Sequence, residues 1–230
     1  MDHSFFDKRK YPIVDVVQGY NEWVRTYEQT VPDAVDLHLL ERLSLNWGAP
    51  KAILDLACGT GRIAQWMRSR TQAPIDGVDL TAGMLALARE KAIYRTLYQA
   101  DITDTRLEAE QYDLCIQSLA DEHLADLKPL YREVARLTQP NGLFVIVGLH
   151  PQFLMVSGMP THFDREGGES VTIRSYVHLM SDHVKAALPV GWALHTMDEG
   201  VIDAEWVKIK PKWEPFLNTP VSYVMVWRKG

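Results

Sequence analysis

The fold is decided by the stretch Ile53-Leu54-Asp55-Leu56-Ala57-Cys58-Gly59-Thr60-Gly61-Arg62. The apolar run from Ala52 to Leu56 is typical of a β-strand, and the apolar residues after Gly61 recur at helical spacing. Glycine has no Cβ, so the backbone at Gly59 and Gly61 can turn tightly and lie close to a ligand. The helix that follows would begin with unpaired N–H groups. A strand, a Gly-x-Gly turn and a helix in this order predict a nucleotide-type site at the end of a first β-strand.

The spacing of this turn fits two kinds of nucleotide. With Ala64 it satisfies the dinucleotide fingerprint G-x-G-x-x-G/A, and Asp79 lies near the position of a ribose-binding acid. Asp55, just before the turn, favours the other kind, because a carboxylate repels a pyrophosphate and attracts an ammonium group. S-adenosylmethionine presents an amino-acid ammonium group and no phosphate. The sequence therefore favours S-adenosylmethionine, with NAD as the alternative.

The composition is that of an ordinary soluble globular protein, and it predicts a single domain over residues 1–230. Hydrophobic residues make up 47% of the chain and charged residues 23%. The net charge of −6 offers no basic surface for nucleic acid or an anionic membrane. No apolar run has transmembrane length, and Met1-Asp2-His3-Ser4 does not resemble a secretory signal. Cys58 and Cys115 are expected to be free thiols, so we expect a cytoplasmic protein.

Strand and helix patterns alternate along most of the chain. Strand patterns occur at residues 51–56, 75–79, 96–100, 112–117, 143–147, 193–197 and 221–227. The first five alternate with helical patterns, which predicts a doubly wound α/β sheet with helices on both faces. Further helices are predicted at residues 33–46, with Asp33 as the cap, and at residues 176–188.

The glycine turn and the acids Asp79 and Asp101 resemble those of class I S-adenosylmethionine-dependent methyltransferases, of the ubiquinone/menaquinone-biosynthesis type. The resemblance covers about residues 20–148. It implies a Rossmann-like α/β fold whose seven-stranded sheet is mostly parallel, with an antiparallel C-terminal strand and a lid. Asn141 departs from the Pro-Gly-Gly of the family at the turn into the fifth strand. Because asparagine tolerates positive φ, we expect the turn to be kept.

The resemblance also implies a binding site for S-adenosyl-L-methionine. Asp79 is expected to bind the ribose hydroxyls and Asp101 the adenine amino group, although an aspartate after a strand is also common in turns. Met84 is expected either beside the adenine or in the core. The implied cofactor residues are Tyr20, Tyr27, Asp55, Ala57, Gly59, Gly61, Asp79, Leu80, Met84, Asp101, Ile102 and Ser118.

Two segments rich in aromatic and methionine residues are expected to cover this site. They are an N-terminal lid helix within residues 1–32 and an inserted substrate lid at residues 150–189. Tyr20, Trp23 and Tyr27 recur at helical spacing, and the resemblance implies that the tyrosines close over the methionine end of the cofactor. The other interpretation is an ordinary core stripe. The predicted substrate contacts are His150, His162, Tyr176 and His178.

Asp121-Glu122-His123 follows the fourth strand, at the edge of the sheet where ligands bind. His123 is the predicted catalytic base, because histidine can accept a proton near pH 7 without a large change of its pKa. A capping or packing role is the other interpretation. His178 and Asp182 have a spacing that could hold a cation, but no third ligand is indicated, so no metal is expected.

The sequence thus predicts methyl transfer from S-adenosylmethionine to a small-molecule acceptor, such as a secondary metabolite or a quinone-like compound, which gives S-adenosylhomocysteine. One alternative is a methyltransferase fold that binds the same cofactor but catalyses another reaction, such as a cyclisation. The other is an NAD-dependent oxidoreductase. The signature of amino methylation on nucleic acids is absent at residues 117–120, so no nucleic-acid partner is expected. A homodimer is a possible assembly.

Overall fold

A computed structural model of the chain describes residues 1–30 and 35–230. In chain order, the strands are β1 (Ile13–Val14), β2 (Ile53–Leu56), β3 (Ile75–Asp79), β4 (Thr96–Gln99), β5 (Tyr112–Ser118), β6 (Thr138–Leu149), β7 (His162–Asp164), β8 (Ser170–Ile173), β9 (Trp192–Val201) and β10 (Pro220–Lys229). The helices are α1 (Val16–Trp23), α2 (Tyr27–Thr30), α3 (Leu37–Arg42), α4 (Arg62–Arg68), α5 (Ala82–Glu90), α6 (Lys128–Leu137), α7 (Pro151–Ser157), α8 (Met180–Ala187) and α9 (Ala204–Ile209). Within the described ranges, none of these helices is both long and apolar enough to cross a membrane.

Seven of the described strands form the main sheet, in the order β4-β3-β2-β5-β6-β10-β9. The pairs from β4 to β6 are parallel, and β10 runs antiparallel to both of its neighbours. The direction of winding reverses between β2 and β5, which places the C-terminal ends of these two strands at the crevice where such sheets bind ligands. The predicted doubly wound sheet with an antiparallel C-terminal strand is therefore confirmed.

The main departure from the predicted strands is the start of β6. It begins at Thr138 rather than at residue 143, because Thr138 already pairs with Tyr112 of β5. The pairing is irregular between Tyr112 and Leu114. Asn141 has a φ of 64°, so the asparagine adopts the left-handed conformation that the turn requires.

Apolar clusters cover both faces of the main sheet, which is why β2 and β3 are buried along their whole length. Leu54 and Phe144 belong to the cluster on one face. Their chain neighbours Ile53 and Val145 belong to the cluster on the other face, as the alternation of side chains along a strand requires. The cysteines Cys58 and Cys115 are free and buried.

A second, smaller sheet joins the two predicted covering segments. Its order is β1-β8-β7, and β1 pairs with β8 in parallel. The N-terminal ammonium group of Met1 donates to the carbonyl of Val177 at 2.8 Å, and the N–H of His3 donates to the carbonyl of Ser175 at 3.1 Å. The N-terminal segment and the inserted segment therefore pack as one unit, which the sequence did not predict.

The predicted N-terminal aromatic helix is divided into two. α1 ends at Trp23 and α2 begins at Tyr27, and the indole N–H of Trp23 donates to the hydroxyl of Thr30 at 3.0 Å across the break. Val31, which extends the aromatic stripe in the sequence, lies outside the described residues. Tyr20 and Tyr27 nevertheless lie side by side, with ring centroids 6.0 Å apart.

Two other helices are shorter than predicted. α3 begins at Leu37, and the carboxylate of Asp36 caps it by accepting a hydrogen bond from the N–H of Leu37 at 2.8 Å. The predicted cap, Asp33, lies outside the described residues. α8 begins at Met180 rather than at residue 176, because the preceding residues pair with the N-terminus instead.

Candidate active site

The turn after β2 presents its backbone to the edge of the main sheet. Ala57, Gly59 and Gly61 have φ values of 53°, 54° and 86°, so all three lie in the left-handed region. Glycine adopts this conformation readily, whereas alanine does so at an energetic cost that is typical of functional sites. Among the described residues, apart from Gly59 and its two chain neighbours, no heavy atom lies within 4 Å of the position that a Cβ would take at Gly59, so the turn borders open space.

A cavity of about 190 Å³ lies beside this turn, and we call it the smaller cavity. It combines apolar side chains with two carboxylates, a composition that is common in ligand sites. The predicted cofactor residues that line it are Tyr20, Tyr27, Ala57, Gly59, Asp79, Leu80, Met84, Asp101, Ile102 and Ser118. Val16, Thr81, Leu119, Ala120, His123 and Leu124 complete its wall.

Asp79 is the buried acid of the smaller cavity. Its Oδ2 accepts a hydrogen bond from the N–H of Gly59 at 2.8 Å, and its Oδ1 accepts one from the N–H of Thr81 at 2.8 Å. Burial raises the pKa of this carboxyl, and the backbone hydrogen bonds oppose that rise. Each carboxylate oxygen can accept a further hydrogen bond, so Asp79 retains acceptor capacity toward a ligand.

Asp101 is the exposed acid of the same cavity. Its Oδ1 accepts hydrogen bonds from the N–H and the hydroxyl of Thr103, at 2.8 and 2.7 Å. A turn residue is the second interpretation that the sequence allowed for Asp101. The second oxygen takes no part in that turn, so the two interpretations are compatible.

Asp55 and Gly61 do not line either cavity described here, although the resemblance implied cofactor contacts for both. The carboxylate of Asp55 is buried beneath the turn and accepts a hydrogen bond from the hydroxyl of Tyr94 at 2.7 Å. Burial raises its pKa to about 7. A Cβ at Gly61 would lie 3.0 Å from the ring of Tyr94. Both residues lie against Tyr94 and away from the two cavities, and their direct contact with a cofactor stays a prediction.

A second and larger cavity, of about 550 Å³, lies under the two covering segments. It sits between two small apolar clusters, one around Trp23 and Phe163 and the other around Phe153 and Trp213. Its wall is formed by Tyr20, Trp23, Thr26, Tyr27, Gln29, Thr30, Val35, Leu119, Glu122, Leu149, Phe153, Met159, Pro160, Thr161, His162, Phe163, Asp164, Lys210, Lys212 and Trp213.

The two cavities share three wall residues, Tyr20, Tyr27 and Leu119. Leu119 has a φ of 54°, an unfavourable conformation for leucine, and its N–H donates to the carbonyl of Val147 at 2.8 Å. Strained backbone of this kind clusters at ligand sites. The shared wall therefore separates two adjoining compartments at the end of β5.

Polar contacts attach the covering helices to the turn. Glu28 of α2 accepts a hydrogen bond from the hydroxyl of Thr60 at 2.6 Å and forms an ion pair with Lys91. The hydroxyl of Ser118 donates to Asp36, the cap of α3, at 2.6 Å. The start of α3 and the whole of α2 are thus positioned by residues at the carboxyl edge of the sheet.

His123 lies in the wall of the smaller cavity, with both ring nitrogens engaged. Nδ1 lies 2.8 Å from the carbonyl oxygen of Arg174, which can only accept, so Nδ1 carries the proton. In the neutral ring Nε2 then accepts from the hydroxyl of Tyr20, at 2.8 Å. Burial lowers the pKa of His123 to about 4, so the ring is neutral near pH 7. The geometry makes His123 a partner for Tyr20, and no finding tests its predicted role as a base.

Glu122 lines the larger cavity and was not among the predicted site residues. Its Oε1 accepts a hydrogen bond from the hydroxyl of Thr161, and its Oε2 is buried without a hydrogen-bond partner in the described structure. Burial raises the pKa of this carboxyl to about 7. Glu122 therefore has one carboxylate oxygen with unused acceptor capacity and a pKa in the range of a general base.

Asp121, one residue earlier, points into the core instead. Its Oδ2 accepts a hydrogen bond from the hydroxyl of Tyr223 at 2.7 Å. The hydroxyl oxygen of Tyr223 lies 2.9 Å from Nε2 of His183, and Nδ1 of His183 lies 3.0 Å from the hydroxyl of Tyr131. The chain of hydrogen bonds therefore runs from Tyr131 through His183 and Tyr223 to Asp121. It fixes the short helix Asp121–His123 to the sheet.

His162 lines the larger cavity, but His150, Tyr176 and His178 do not line either cavity. His150 caps α7 through Nδ1 and bonds Glu199 through Nε2, at 3.1 and 2.9 Å. Tyr176 forms a backbone bridge with Asp2. His178 donates from Nε2 to the carbonyl of Leu124 at 2.7 Å. The contact of Tyr176 joins the two covering segments, and those of His150 and His178 attach the inserted segment to residues outside the cover. The predicted substrate contacts of these three residues receive no support from the geometry.

The predicted helical pairing of His178 with Asp182 is wrong, because His178 precedes α8. Asp182 lies in the first turn of that helix, and its carboxylate accepts a hydrogen bond from the N–H of Leu179 at 2.9 Å. In the part of the chain that the structure describes, no group of three or more His, Cys, Asp or Glu side chains is arranged to hold a metal ion.

Comparison with known proteins bears on both the fold and the site. Residues 54–146, which run from β2 to β6, match the family model described as a methyltransferase domain. A solved S-adenosylmethionine-dependent methyltransferase from Mesorhizobium loti superposes with a TM-score of 0.67 at 23% identity, over 85% of this chain and 98% of that one. The chain therefore contains a region similar to a methyltransferase domain, and its fold is that of S-adenosylmethionine-dependent methyltransferases.

Proteins that are similar to this chain differ in what they do. A malonyl-acyl-carrier-protein O-methyltransferase from Methylovorus sp. (strain MP688) is 29% identical over 173 residues, which are 70% of this chain and 56% of that relative. The chain spans between 34% and 56% of the length of the curated relatives that it matches. The (4+2)-cyclase SpnF has the same fold, with a TM-score of 0.65 at 16% identity over 95% of this chain and 98% of that one. The fold alone therefore does not specify the reaction.

The residues of the smaller cavity fit S-adenosyl-L-methionine, the cofactor of the methyltransferase family. Asp79 retains acceptor capacity for ribose hydroxyls. Leu80, Met84 and Ile102 provide an apolar wall for an adenine ring. The open space at Gly59 leaves room for the methionine end beside the turn.

Proposed function

We propose that the chain transfers a methyl group from S-adenosylmethionine in the smaller cavity to a small-molecule acceptor in the larger cavity. The observation that supports this most strongly is the wall of Tyr20, Tyr27 and Leu119 that the two cavities share. Methyl transfer needs donor and acceptor held in line and shielded from water. Two adjoining compartments under one cover meet that need.

The cofactor contacts that we propose follow the wall of the smaller cavity. Asp79 binds the ribose hydroxyls and Asp101 the adenine amino group. Met84 packs against the adenine, and the backbone at Gly59 borders the methionine end. Tyr20 and Tyr27 close that end from the side of the larger cavity.

S-adenosylmethionine supplies an activated methyl group on a sulfonium sulfur. The chain supplies the rest. The aromatic cover excludes water, and the neutral His123 holds the hydroxyl of Tyr20 at the shared wall. When the acceptor's nucleophile carries a proton, the free oxygen of Glu122 receives it.

The proposed partner is a small molecule. The net charge of −6 does not favour a nucleic acid, and the cavity lies under side chains of the cover. A cytoplasmic location and a homodimer stay predictions from the sequence.

Titration calorimetry with the whole chain separates the cofactors. We expect S-adenosylmethionine and S-adenosylhomocysteine to bind with measurable heat and NAD to bind far more weakly. NAD binding as tight as that of S-adenosylmethionine would contradict the proposal and restore the oxidoreductase alternative. Tight binding of S-adenosylmethionine with no release of S-adenosylhomocysteine, across a broad panel of acceptors, would favour a reaction other than methylation.

A further inference from the structure

Part of the wall of the larger cavity is aromatic and apolar. The rings of Trp23 and Phe163 stack with centroids 5.5 Å apart, and those of Phe153 and Trp213 lie 4.8 Å apart. All four side chains are buried. The body of a ligand that fills this space is therefore expected to be aromatic or otherwise apolar.

One part of this wall carries two lysines, Lys210 and Lys212. Lys210 is half-buried, and its ammonium nitrogen lies 5.2 Å from the ring centroid of Trp213. Within residues 1–30 and 35–230, no carboxylate pairs with it, whereas Lys208 in the same segment pairs with Glu205 at 2.5 Å. Burial and the neighbouring charge of Lys212 lower the pKa of Lys210. A half-buried ammonium group with no carboxylate partner among the described residues is stabilised when an anion reaches it.

Other charged residues near Lys210 add to the positive potential of this part of the wall. Lys212 also lines the cavity and is exposed, so it lies at the outer edge. Arg9 extends the cationic surface by bonding Nε2 of His162 at 2.7 Å. Asp164 is the acid that lines this part of the wall, and its carboxylate already accepts a hydrogen bond from Ser170. The outer edge therefore attracts anions.

The part of the wall nearest the smaller cavity carries an acidic residue instead of lysines. Glu122 is only 4% exposed and lies beside His123, which borders the smaller cavity. A ligand whose anionic group reaches Lys210 can therefore place another polar group near Glu122.

We infer that the larger cavity binds an amphipathic organic anion. Its apolar body packs against the aromatic wall, its carboxylate, phosphate or sulfonate pairs with Lys210 and Lys212, and its neutral nucleophile points toward the shared wall. This inference rests on the proposed function, in which the larger cavity holds the acceptor. It names the chemical class of that acceptor.

Two fluorescent probes with the same ring system test this without the natural acceptor. Anilinonaphthalene sulfonate carries an anionic sulfonate, and N-phenylnaphthylamine lacks it. In the whole chain, Lys210→Met is expected to weaken sulfonate binding about tenfold, because the variant lacks the ammonium group that pairs with the sulfonate. The variant should leave the uncharged probe unchanged. The matched control is Lys208→Met, which removes a paired lysine outside the cavity and should change neither probe.

Met159→Trp locates the probes, because it fills the larger cavity with an indole and should weaken both. The inference is overturned if Lys210→Met affects both probes equally or neither. It is also overturned if Met159→Trp has no effect, or if the uncharged probe binds the native chain as tightly as the sulfonate. Calorimetry of S-adenosylmethionine on each variant reports the smaller cavity separately. Failure of the inference and failure of the proposed function are thus distinguishable.

Discussion

Glu122→Gln is expected to lower turnover about a hundredfold or more while the affinity for S-adenosylmethionine stays the same. General-base catalysis contributes about 10²–10⁴ in rate. Glutamine has the same shape, and its amide oxygen can still accept the hydrogen bond from Thr161. The substitution removes the proton acceptor and little else. The measurement is the release of S-adenosylhomocysteine at saturating cofactor with a pool of small-molecule acceptors.

The dependence on pH gives the same prediction a second readout. Burial raises the pKa of Glu122 to about 7, and a base acts only when it is deprotonated. Turnover should therefore rise as the pH increases through about 7 and level off above it. His123 cannot produce this step, because burial lowers its pKa to about 4. Burial also raises the pKa of Asp121 to about 7, so Asp121→Asn is the matched control.

The rise in turnover near pH 7 should vanish in Glu122→Gln. It should remain in Asp121→Asn, because the native Asp121 carboxylate accepts a hydrogen bond from Tyr223 in the core and does not bind a ligand. A step that persists without Glu122 would remove this residue from the mechanism. If His123→Ala lost about a hundredfold in turnover and Glu122→Gln were normal, the base would be His123, as the sequence predicted.

Asp79→Ala is expected to weaken the binding of S-adenosylmethionine by at least about tenfold, because hydrogen bonds to charged groups are worth about 1.5–3 kcal/mol each. Calorimetry measures the affinity. The substitution also leaves the N–H groups of Gly59 and Thr81 without their acceptor. Thermal unfolding must therefore show that the variant is folded at the temperature of the titration.

Asp104→Ala is the control for charge, since Asp104 lies close to Asp101 in the chain but does not line the smaller cavity. Its affinity for the cofactor should match that of the native chain. Equal affinities in Asp79→Ala and the native chain would contradict the assignment of Asp79 to the ribose.

The parts of the fold that could be predicted are those that local patterns determine. β2 and β3 are buried on both faces, so their residues form continuous apolar runs that sequence periodicity detects. The turn at Gly59 and Gly61 could be predicted because positive φ favours glycine. The pairing of β1 with β8 could not, since β1 has only two residues and its partner lies in a distant segment.

The directions of the acid–base side chains could not be predicted from the sequence either. Asp121, Glu122 and His123 are consecutive, and the sequence placed all three at the ligand edge. The 3₁₀ turn sends Asp121 into the core, Glu122 to the larger cavity and His123 to the smaller one. Which direction each side chain takes depends on that turn and on partners elsewhere in the chain, such as Tyr223 and Thr161. The sequence signal that could have identified Glu122 as a site residue was an acidic side chain within a stretch expected to be buried.

The lid residues illustrate why composition alone does not locate contacts. Histidines in the inserted segment were predicted to contact the substrate, but His150 and His178 attach that segment to Glu199 and Leu124, which lie outside the cover. Lys210 and Lys212, in a stretch that looks like ordinary surface charge, line the larger cavity instead. Their position depends on how α9 and the following turn fold back onto the cover.

Transfer of a labelled methyl group tests the central claim most directly. The whole chain is incubated with S-adenosylmethionine that carries a trideuterated methyl group and with a small-molecule extract of the source cell, and the products are resolved by mass spectrometry. We expect one small molecule to gain the trideuterated methyl group, with an equal amount of S-adenosylhomocysteine released. Binding of the cofactor without labelled product or S-adenosylhomocysteine would contradict methyl transfer, as would label that appears only in macromolecules.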